Sequence, residues 1–238
     1  MDLLTDINED SVLSNTETRE FQAEYNIYPN MTDYLMVKLE AYDTHIGTIF
    51  TYEEVELYLQ YPNNHINYRI PNGYTALHTA VDLNNVPAMH TLLAFGADVN
   101  IANNNNYTPL MTACSNGNRE VVYTLLQHGA DFNLSDVDNE TAMHAAVDQE
   151  RQEWVSGGSI MLLLEAGAEI NSMNNHGESV LHIAAHRGFD RVAEFLVRNG
   201  AIVFNNHQNQ DPIDIAQNNG HHNIADMLRR YFPQDEGY

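Results

Sequence analysis

Basic residues are scarce in this sequence. Its 238 residues include 33 acidic but only 10 basic side chains, which gives a formal net charge of −23. Lys38 is the only lysine, and the other nine basic residues are arginines. A negative field of this size repels phosphate groups and attracts basic partners. The composition therefore argues against nucleic-acid binding, which depends on cationic contacts with phosphates, and favours a basic protein partner.

Cysteine is almost absent, and long apolar runs are absent. Cys114 is the only cysteine, so no disulfide can form within the chain and a reducing environment is expected. The N-terminal segment MDLLTDINEDSVL has neither the basic nor the apolar region of a secretory signal. No run of about 18 apolar residues occurs, so we expect no membrane-spanning helix. These features favour a cytoplasmic protein, in its own cell or, if it is an effector, in a host cytosol.

Two sequence markers recur with the same period. One is a turn followed by a helix start, such as GYTALHTA or NYTPLMTA. It begins at Gly73, Asn106, Asn139, Gly177 and Asn209, with spacings of 33, 33, 38 and 32 residues. The other is a Gly-Ala pair, with spacings of 33, 38 and 33 residues between Gly96, Gly129, Gly167 and Gly200. Two markers with one period indicate a chain built from repeated units.

These units, such as TALHTA and TPLMTA, resemble the ankyrin repeat, whose signature contains T-P-L-H-x-A and has a period of 33 residues. The resemblance implies an all-α ankyrin-repeat solenoid, made of helix-turn-helix repeats with short β-hairpin tips. We predict five repeats over residues 68–231, after a degenerate N-terminal capping repeat at residues 31–67 that lacks the Gly-Ala pair. Residues 1–30 are expected to form an acidic, poorly ordered leader, and residues 232–238 a flexible tail.

Local signals predict where the helices of each repeat begin and end. Thr108 is a good N-cap residue, and Pro109 fits the first helical turn after it. Thr75 and Thr141 occupy the same position in their repeats. Apolar residues at i, i+3 and i+4 mark the second helix, and Gly129 predicts a left-handed end to it.

The third repeat is longer than the others, at 38 residues instead of 33. The additional residues lie near 150–158, between its two helices, and include Trp154, the only tryptophan. One interpretation is a lengthened helix and a loop, with Trp154 packed back on them. The alternative is a recognition segment anchored by Trp154, because tryptophan is enriched among interface hot spots.

Twelve histidines suggest a metal site, but their pattern does not support one. HIAAH at residues 182–186 lacks the glutamate of the zinc-hydrolase motif H-E-x-x-H. His78, His144 and His182 occupy the histidine position of T-P-L-H, for which the resemblance implies a structural hydrogen bond to the backbone of a neighbouring turn. Cys114 lies among the small residues of a first helix and is interpreted as a packing residue. We predict no catalytic residue, no metal and no cofactor.

The asparagines that end the GADVN-like segments have two interpretations. Asn100, Asn133 and Asn171 match the position that asparaginyl hydroxylases modify in similar repeats. The alternative, a role in stabilising the turn, is favoured here.

The resemblance also implies where a protein partner binds. In ankyrin proteins the contacting positions flank the tip turn and the end of the first helix, on the concave face. With Trp154 added, the corresponding residues are Tyr74, Asp82, Leu83, Asn105, Tyr107, Asn116, Asp138, Glu140, Asp148, Glu178, His186 and Arg187. Tyr74 and Tyr107 occupy equivalent slots in adjacent repeats and are expected side by side, next to an acidic patch. Such a surface suits a basic protein, although the acids could also be an ordinary solubilising surface.

Three functional settings follow from these observations. The leading one is an inhibitor or immunity-type protein that blocks a basic toxin or nuclease. The second is a bacterial effector or adaptor that recruits a target in a host cytosol, and the third is an enzyme whose active site lies in residues 1–67. Binding that weakens with salt favours an inhibitor, and salt-insensitive binding favours an adaptor. Turnover by the purified chain favours the enzyme, and the oligomeric state is left open.

Overall fold

The computed structural model describes residues 55, 56, 59, 65–148 and 156–233. These residues belong to two compact units, Met1–Asp98 and Val99–Tyr238. The predicted leader, most of the predicted capping repeat, residues 149–155 and residues 234–238 lie outside the described residues. Residues 149–155 include Trp154 and most of the insertion predicted near residues 150–158; residues 156–158 belong to the helix Ser156–Ala166.

The described residues form pairs of short helices, one pair in each of the regions where the sequence predicts a full repeat. The first unit contains α1 (Ala76–Asp82) and α2 (Val86–Ala94). The second unit contains α3 (Pro109–Ser115), α4 (Arg119–Gln127), α5 (Ala142–Asp148), α6 (Ser156–Ala166), α7 (Val180–Arg187), α8 (Asp190–Arg198), α9 (Pro212–Asn218) and α10 (His222–Tyr231). Odd-numbered helices are the first helices of their repeats and even-numbered helices are the second. The fold is all-α, as predicted.

Polar N-caps set the start of the first helices. The hydroxyl of Thr75 accepts a hydrogen bond from the backbone N–H of His78 over 3.4 Å, and that of Thr108 accepts one from Met111 over 3.2 Å. Asp211 caps α9 in the same way. An N-cap of this kind typically stabilises a protein by about 1 kcal/mol. The predicted caps at Thr75 and Thr108 are confirmed.

Left-handed backbone positions end the second helices and close the tips. The glycines of the Gly-Ala pairs have φ values between 81° and 100°, which confirms the predicted left-handed helix ends. A second left-handed position lies in each tip, where φ is between 58° and 87° at Gly73, Asn106, Asn139, Gly177 and Asn209. Glycine and asparagine tolerate this conformation best, which explains why they alternate at this position.

The core of the second unit lies between the helices. The first helices α3, α5, α7 and α9 pack on one another in chain order. Their small residues, such as Ala113, Cys114 and Ala184, are at most 2% exposed and allow this close approach. The second helices α4, α6, α8 and α10 pack on their neighbours and bury residues such as Leu125 and Leu196. Burial of a leucine contributes about 1.5–3 kcal/mol, so each repeat depends on its neighbours for stability.

Candidate protein-interaction face

Four tips with the same internal geometry precede the first helices of the second unit. We number them with their repeats: the second tip is residues 103–107, the third 136–140, the fourth 174–178 and the fifth 206–210. In the second tip, Oδ1 of Asn103 accepts hydrogen bonds from the backbone N–H groups of Asn105 (2.8 Å) and Tyr107 (3.0 Å). The other three tips repeat this arrangement, with 2.8–3.0 Å to the acceptor residues Asp136, Asn174 and Asn206.

The sequence predicted short β-hairpins at the tips, whereas the tips are turns held by side chains. Among the described residues, the strand-like pairing is limited to an isolated antiparallel bridge between Ser135 and Thr141. Each tip has two internal backbone bonds, which in the second tip run from Asn103 N–H to Tyr107 O over 2.9 Å and from Asn106 N–H to Asn103 O over 3.0 Å. The side-chain acceptor adds two more bonds, so no strand is needed.

Backbone hydrogen bonds also join successive tips of the second unit. Val137 N–H donates to Asn105 O over 3.1 Å, Asn175 N–H to Asp138 O over 2.9 Å, and His207 N–H to His176 O over 3.0 Å. The four tips therefore hold their apex side chains at fixed spacing. A partner would meet a preorganised surface here.

Tyr74, Asp82 and Leu83 lie in the first unit. Tyr74 is half-buried, and its ring centroid lies 5.1 Å from that of His78. Asp82 and Leu83 are exposed at the end of α1, where 49% of Leu83 is accessible. Because Tyr74 and Tyr107 belong to different units, their predicted side-by-side arrangement stays a prediction.

Tyr107 lies partly buried over its own repeat. Its hydroxyl is 2.9 Å from Oγ of Ser115 at the end of α3. Burial raises the pKa of Tyr107 to about 12, so the phenol stays protonated at neutral pH. The hydroxyl is engaged within the repeat, which leaves the ring as the part of Tyr107 that a partner can use. Asn105 and Asn116, also predicted as contacts, are exposed.

Two of the predicted contact acids also link tips. Nδ2 of Asn174 donates to Oε1 of Glu140 over 3.3 Å, and Nδ2 of Asn206 donates to Oε1 of Glu178 over 3.3 Å. Both glutamates therefore have a structural role that the sequence did not suggest. Their role as partner contacts stays a prediction.

Asp138 differs from those glutamates, because no described residue donates a hydrogen bond to its exposed carboxylate. Asp136, which sequence reasoning did not select, lies beside it in the same tip. Aligning the first residue of each tip across the repeats would have singled out Asp136, because the equivalent residues 103, 174 and 206 are all asparagine.

The remaining predicted contacts lie at the ends of first helices or outside the described residues. His186 and Arg187 are exposed in the last turn of α7. Asp148 ends α5, and its side chain is not described. Trp154 lies outside the described residues, so neither interpretation of the insertion is tested.

The histidines of the T-P-L-H slot are buried and structural. Nδ1 of His144 accepts from Thr141 N–H over 3.2 Å, and its Nε2 lies 3.3 Å from Glu178 O in the next tip. That bond to a neighbouring turn was predicted. His182 keeps the first bond, from Ser179 N–H over 3.1 Å, but its buried Nε2 has no hydrogen-bond partner among the described residues. Burial lowers the pKa of both His144 and His182, so both rings are neutral at pH 7.

Neither a metal-binding cluster nor a reactive thiol is found among the described residues. Within residues 65–148 and 156–233, no three His, Cys, Asp or Glu side chains are grouped to hold a metal ion. Burial raises the pKa of the Cys114 thiol, so the reactive thiolate is disfavoured. Cys114 is a packing residue, as its sequence position indicated.

Comparison with known protein families agrees with the geometry of the repeats. A model of ankyrin repeats matches three times, at residues 49–136, 103–157 and 155–235, which together span more than half of the chain. The chain therefore belongs to the ankyrin-repeat family, whose repeats are protein–protein interaction modules and are generally non-catalytic. No curated protein matched the chain.

No helix among the described residues is both long enough and apolar enough to cross a membrane.

Proposed function

We propose that this chain is a non-catalytic recognition module that binds a basic or partly basic protein and acts as an inhibitor or immunity-type protein. The supporting observation is the distribution of charge in the second and third repeats. Between residues 99 and 148, Arg119 is the only arginine or lysine, and it begins α4, a second helix. The third tip carries Asp136, Asp138 and Glu140. The third tip therefore presents acids, and the tips and first helices of these two repeats contain no arginine or lysine to balance them.

This distribution of charge suits an inhibitor that binds its target rapidly and tightly. Complementary charge raises the rate at which a basic protein meets the acidic tips. The ring of Tyr107 and the exposed side chain of Val137 supply apolar contact area, and aromatic residues dominate most interface energies. On this proposal the module covers the basic functional surface of its target, and it does so without chemistry.

An adaptor is the second candidate, and one observation favours it. Two apolar side chains are exposed: Leu83, a predicted contact, by 49%, and Val137, which lies in the third tip next to the predicted contact Asp138, by 55%. Contacts built on such side chains depend less on charge than contacts built on aspartates. The enzyme alternative concerns residues 1–67, and an assay for turnover by the purified chain tests it.

The test is capture of a partner from native lysate across a series of salt concentrations. The test variant is Tyr107→Ala/Asp138→Lys, which alters the tips. Its matched control is Tyr123→Ala/Glu165→Lys, which also removes one tyrosine ring and replaces one acid with lysine, on the exposed faces of α4 and α6. We expect one basic protein to be retained by the wild type and by the control and lost by the tip variant.

The salt series separates the two candidate functions. Exposed charge pairs are screened within about 8–10 Å at physiological salt, so an inhibitor held by charge should release its target as salt rises. Retention at high salt supports the adaptor. Equal capture by both variants would show that the tips are not the binding face.

A further inference from the structure

Asp136 is the only aspartate among the four side-chain acceptors that close the tips of the second unit. The equivalent residues in the second, fourth and fifth tips are Asn103, Asn174 and Asn206. At all four positions Oδ1 accepts two backbone N–H groups, as it does in Asp136 from Asp138 (2.9 Å) and Glu140 (2.8 Å). Asparagine closes the other three tips with the same two bonds. The turn therefore does not require the negative charge of Asp136.

Asparagine and aspartate differ at the second terminal atom of the side chain, which is Nδ2 in asparagine and Oδ2 in Asp136. In the fourth and fifth tips, the amide Nδ2 donates to a glutamate of the preceding tip. Asp136 has a carboxylate oxygen in place of that amide, and the preceding tip has Tyr107 in place of the glutamate. No described residue donates to Oδ2 of Asp136. The link between the second and third tips is therefore different. The third tip has the carboxylate of Asp136 where later tips have an amide donor, and the second tip has the ring of Tyr107 where later tips have a glutamate.

The surroundings of this position are acidic and partly apolar. Both Asp136 and Glu140 lie close enough to Tyr107 for their charges to favour its protonated form. Val137, which is 55% exposed, stands between Asp136 and the exposed Asp138. Val137 N–H donates to Asn105 O over 3.1 Å, which fixes the third tip against the second.

We propose that the surface formed by Tyr107, Asp136, Val137 and Asp138 binds one arginine side chain of the partner. The planar guanidinium donates to carboxylates in a fixed geometry and stacks on aromatic faces. The methylene groups of an arginine pack on apolar surface such as Val137. A lysine offers the charge without the planar group and should bind more weakly. The inference deepens the proposed function and rests on it for the basic character of the partner.

The test is a titration of the isotopically labelled chain with N-acetyl-arginine amide at low salt, followed by amide NMR shifts. We expect saturable shifts centred on residues 136–138 and on Tyr107, and weaker binding of the lysine analogue. Asp136→Asn is the matched variant, because it installs the residue of the other tips and keeps the Oδ1 acceptor. It should weaken binding by about fivefold, the upper end for one exposed charge pair. Glu165→Gln, with the same charge change on α6, should bind as the wild type does.

Two results would overturn the inference. One is equal affinity of Asp136→Asn and the wild type. The other is a scatter of shifts over remote acids such as Glu165, which would indicate diffuse attraction of cations. Asp138→Asn provides a second measurement if Asp136→Asn is poorly folded, because no described residue donates to the Asp138 carboxylate. The titration uses no partner protein, so its failure is distinct from a failure to capture a basic target.

Discussion

The side-chain amide of Asn174 donates a hydrogen bond to Oε1 of Glu140 over 3.3 Å and joins the fourth tip to the third. Asn206 and Glu178 repeat the pair one unit further along. Each pair matches a donor with an acceptor across the boundary between repeats. The first residue of a tip, such as Asn174, is therefore constrained by the last residue of the tip before it, such as Glu140.

Asn174→Asp should destabilise the second unit. The Oδ1 acceptor is kept, but a carboxylate oxygen then faces Glu140 instead of a donor. We expect a loss of about 1–2 kcal/mol, as for an unsatisfied polar contact, and a smaller loss at high salt. Urea unfolding at two salt concentrations measures it. Adding Glu140→Gln restores a donor, so the double variant should recover most of the loss; equal losses in both backgrounds would refute the pairing.

Asn171→Ala should destabilise the chain, and Asn133→Ala should not. Oδ1 of Asn171 accepts from Ile202 N–H over 3.0 Å, and its Nδ2 donates to Gly200 O over 3.1 Å. The side chain of Asn133 makes no such bond with any described residue. We expect a loss of about 1–2 kcal/mol for Asn171→Ala and a change within about 0.5 kcal/mol for Asn133→Ala. Thermal unfolding of the two variants compares them, and similar melting temperatures would contradict this expectation.

Gly177→Ala should cost more stability than Gly129→Ala. Both residues have left-handed backbones, with φ of 72° and 82°, so both variants carry the same conformational penalty. A Cβ on Gly177 would lie 2.7 Å from Cδ2 of His207, whereas a Cβ on Gly129 meets nothing within 4 Å. The difference in unfolding free energy between the two variants isolates the clash. His207→Ala should relieve part of it, because the backbone N of His207 also lies 3.0 Å from that Cβ.

Stability should fall as the pH drops below about 6.5. Burial holds the pKa of His144 and His182 below their usual value of 6.5, so the unfolded chain binds protons at a pH where the folded chain does not. Their contribution is complete above pH 6.5 and is lost as the pH falls toward their lowered folded pKa. Each histidine can contribute up to about 1.4 kcal/mol per pH unit in that window. Urea unfolding at pH 7.5, 6.5 and 5.5 checks this, and His144→Gln/His182→Gln should show a flatter dependence.

The helices, their caps and their left-handed ends could be predicted from the sequence because each depends on a few neighbouring residues. Thr108 caps its helix through a bond to residue 111, and the Gly-Ala pairs end helices wherever they occur. The same local signals recur in several repeats, so each repeat supports the prediction made for the others. The bond predicted for the T-P-L-H histidine was found for His144 because it links identical positions in successive repeats.

The side-chain pairs at the tips could not be predicted in this way. Tyr107 was selected as a contact, but its bond to Ser115 depends on how the ring lies over α3. Glu140 was selected as an exposed acid, whereas its bond to Asn174 joins residues 34 positions apart. The β-hairpins were expected from the family, but the Asx side chains close the tips in place of strands. These side-chain bonds depend on how the folded elements pack on one another, and the sequence of a single repeat does not show that packing.

The left-handed residue and the Asx acceptor enclose two exposed apex residues in each tip of the second unit. These pairs are residues 104–105, 137–138, 175–176 and 207–208. The closing bonds within each tip use the flanking residues and the backbone, so apex side chains can be exchanged in pairs while the loop keeps its shape. Asn175 also links two tips, because its Nδ2 donates to Val137 O over 3.1 Å. On the proposed function, the apex pairs are the residues that would decide which protein is bound. Exchanging them while leaving the helices untouched is therefore the direct way to seek a new target.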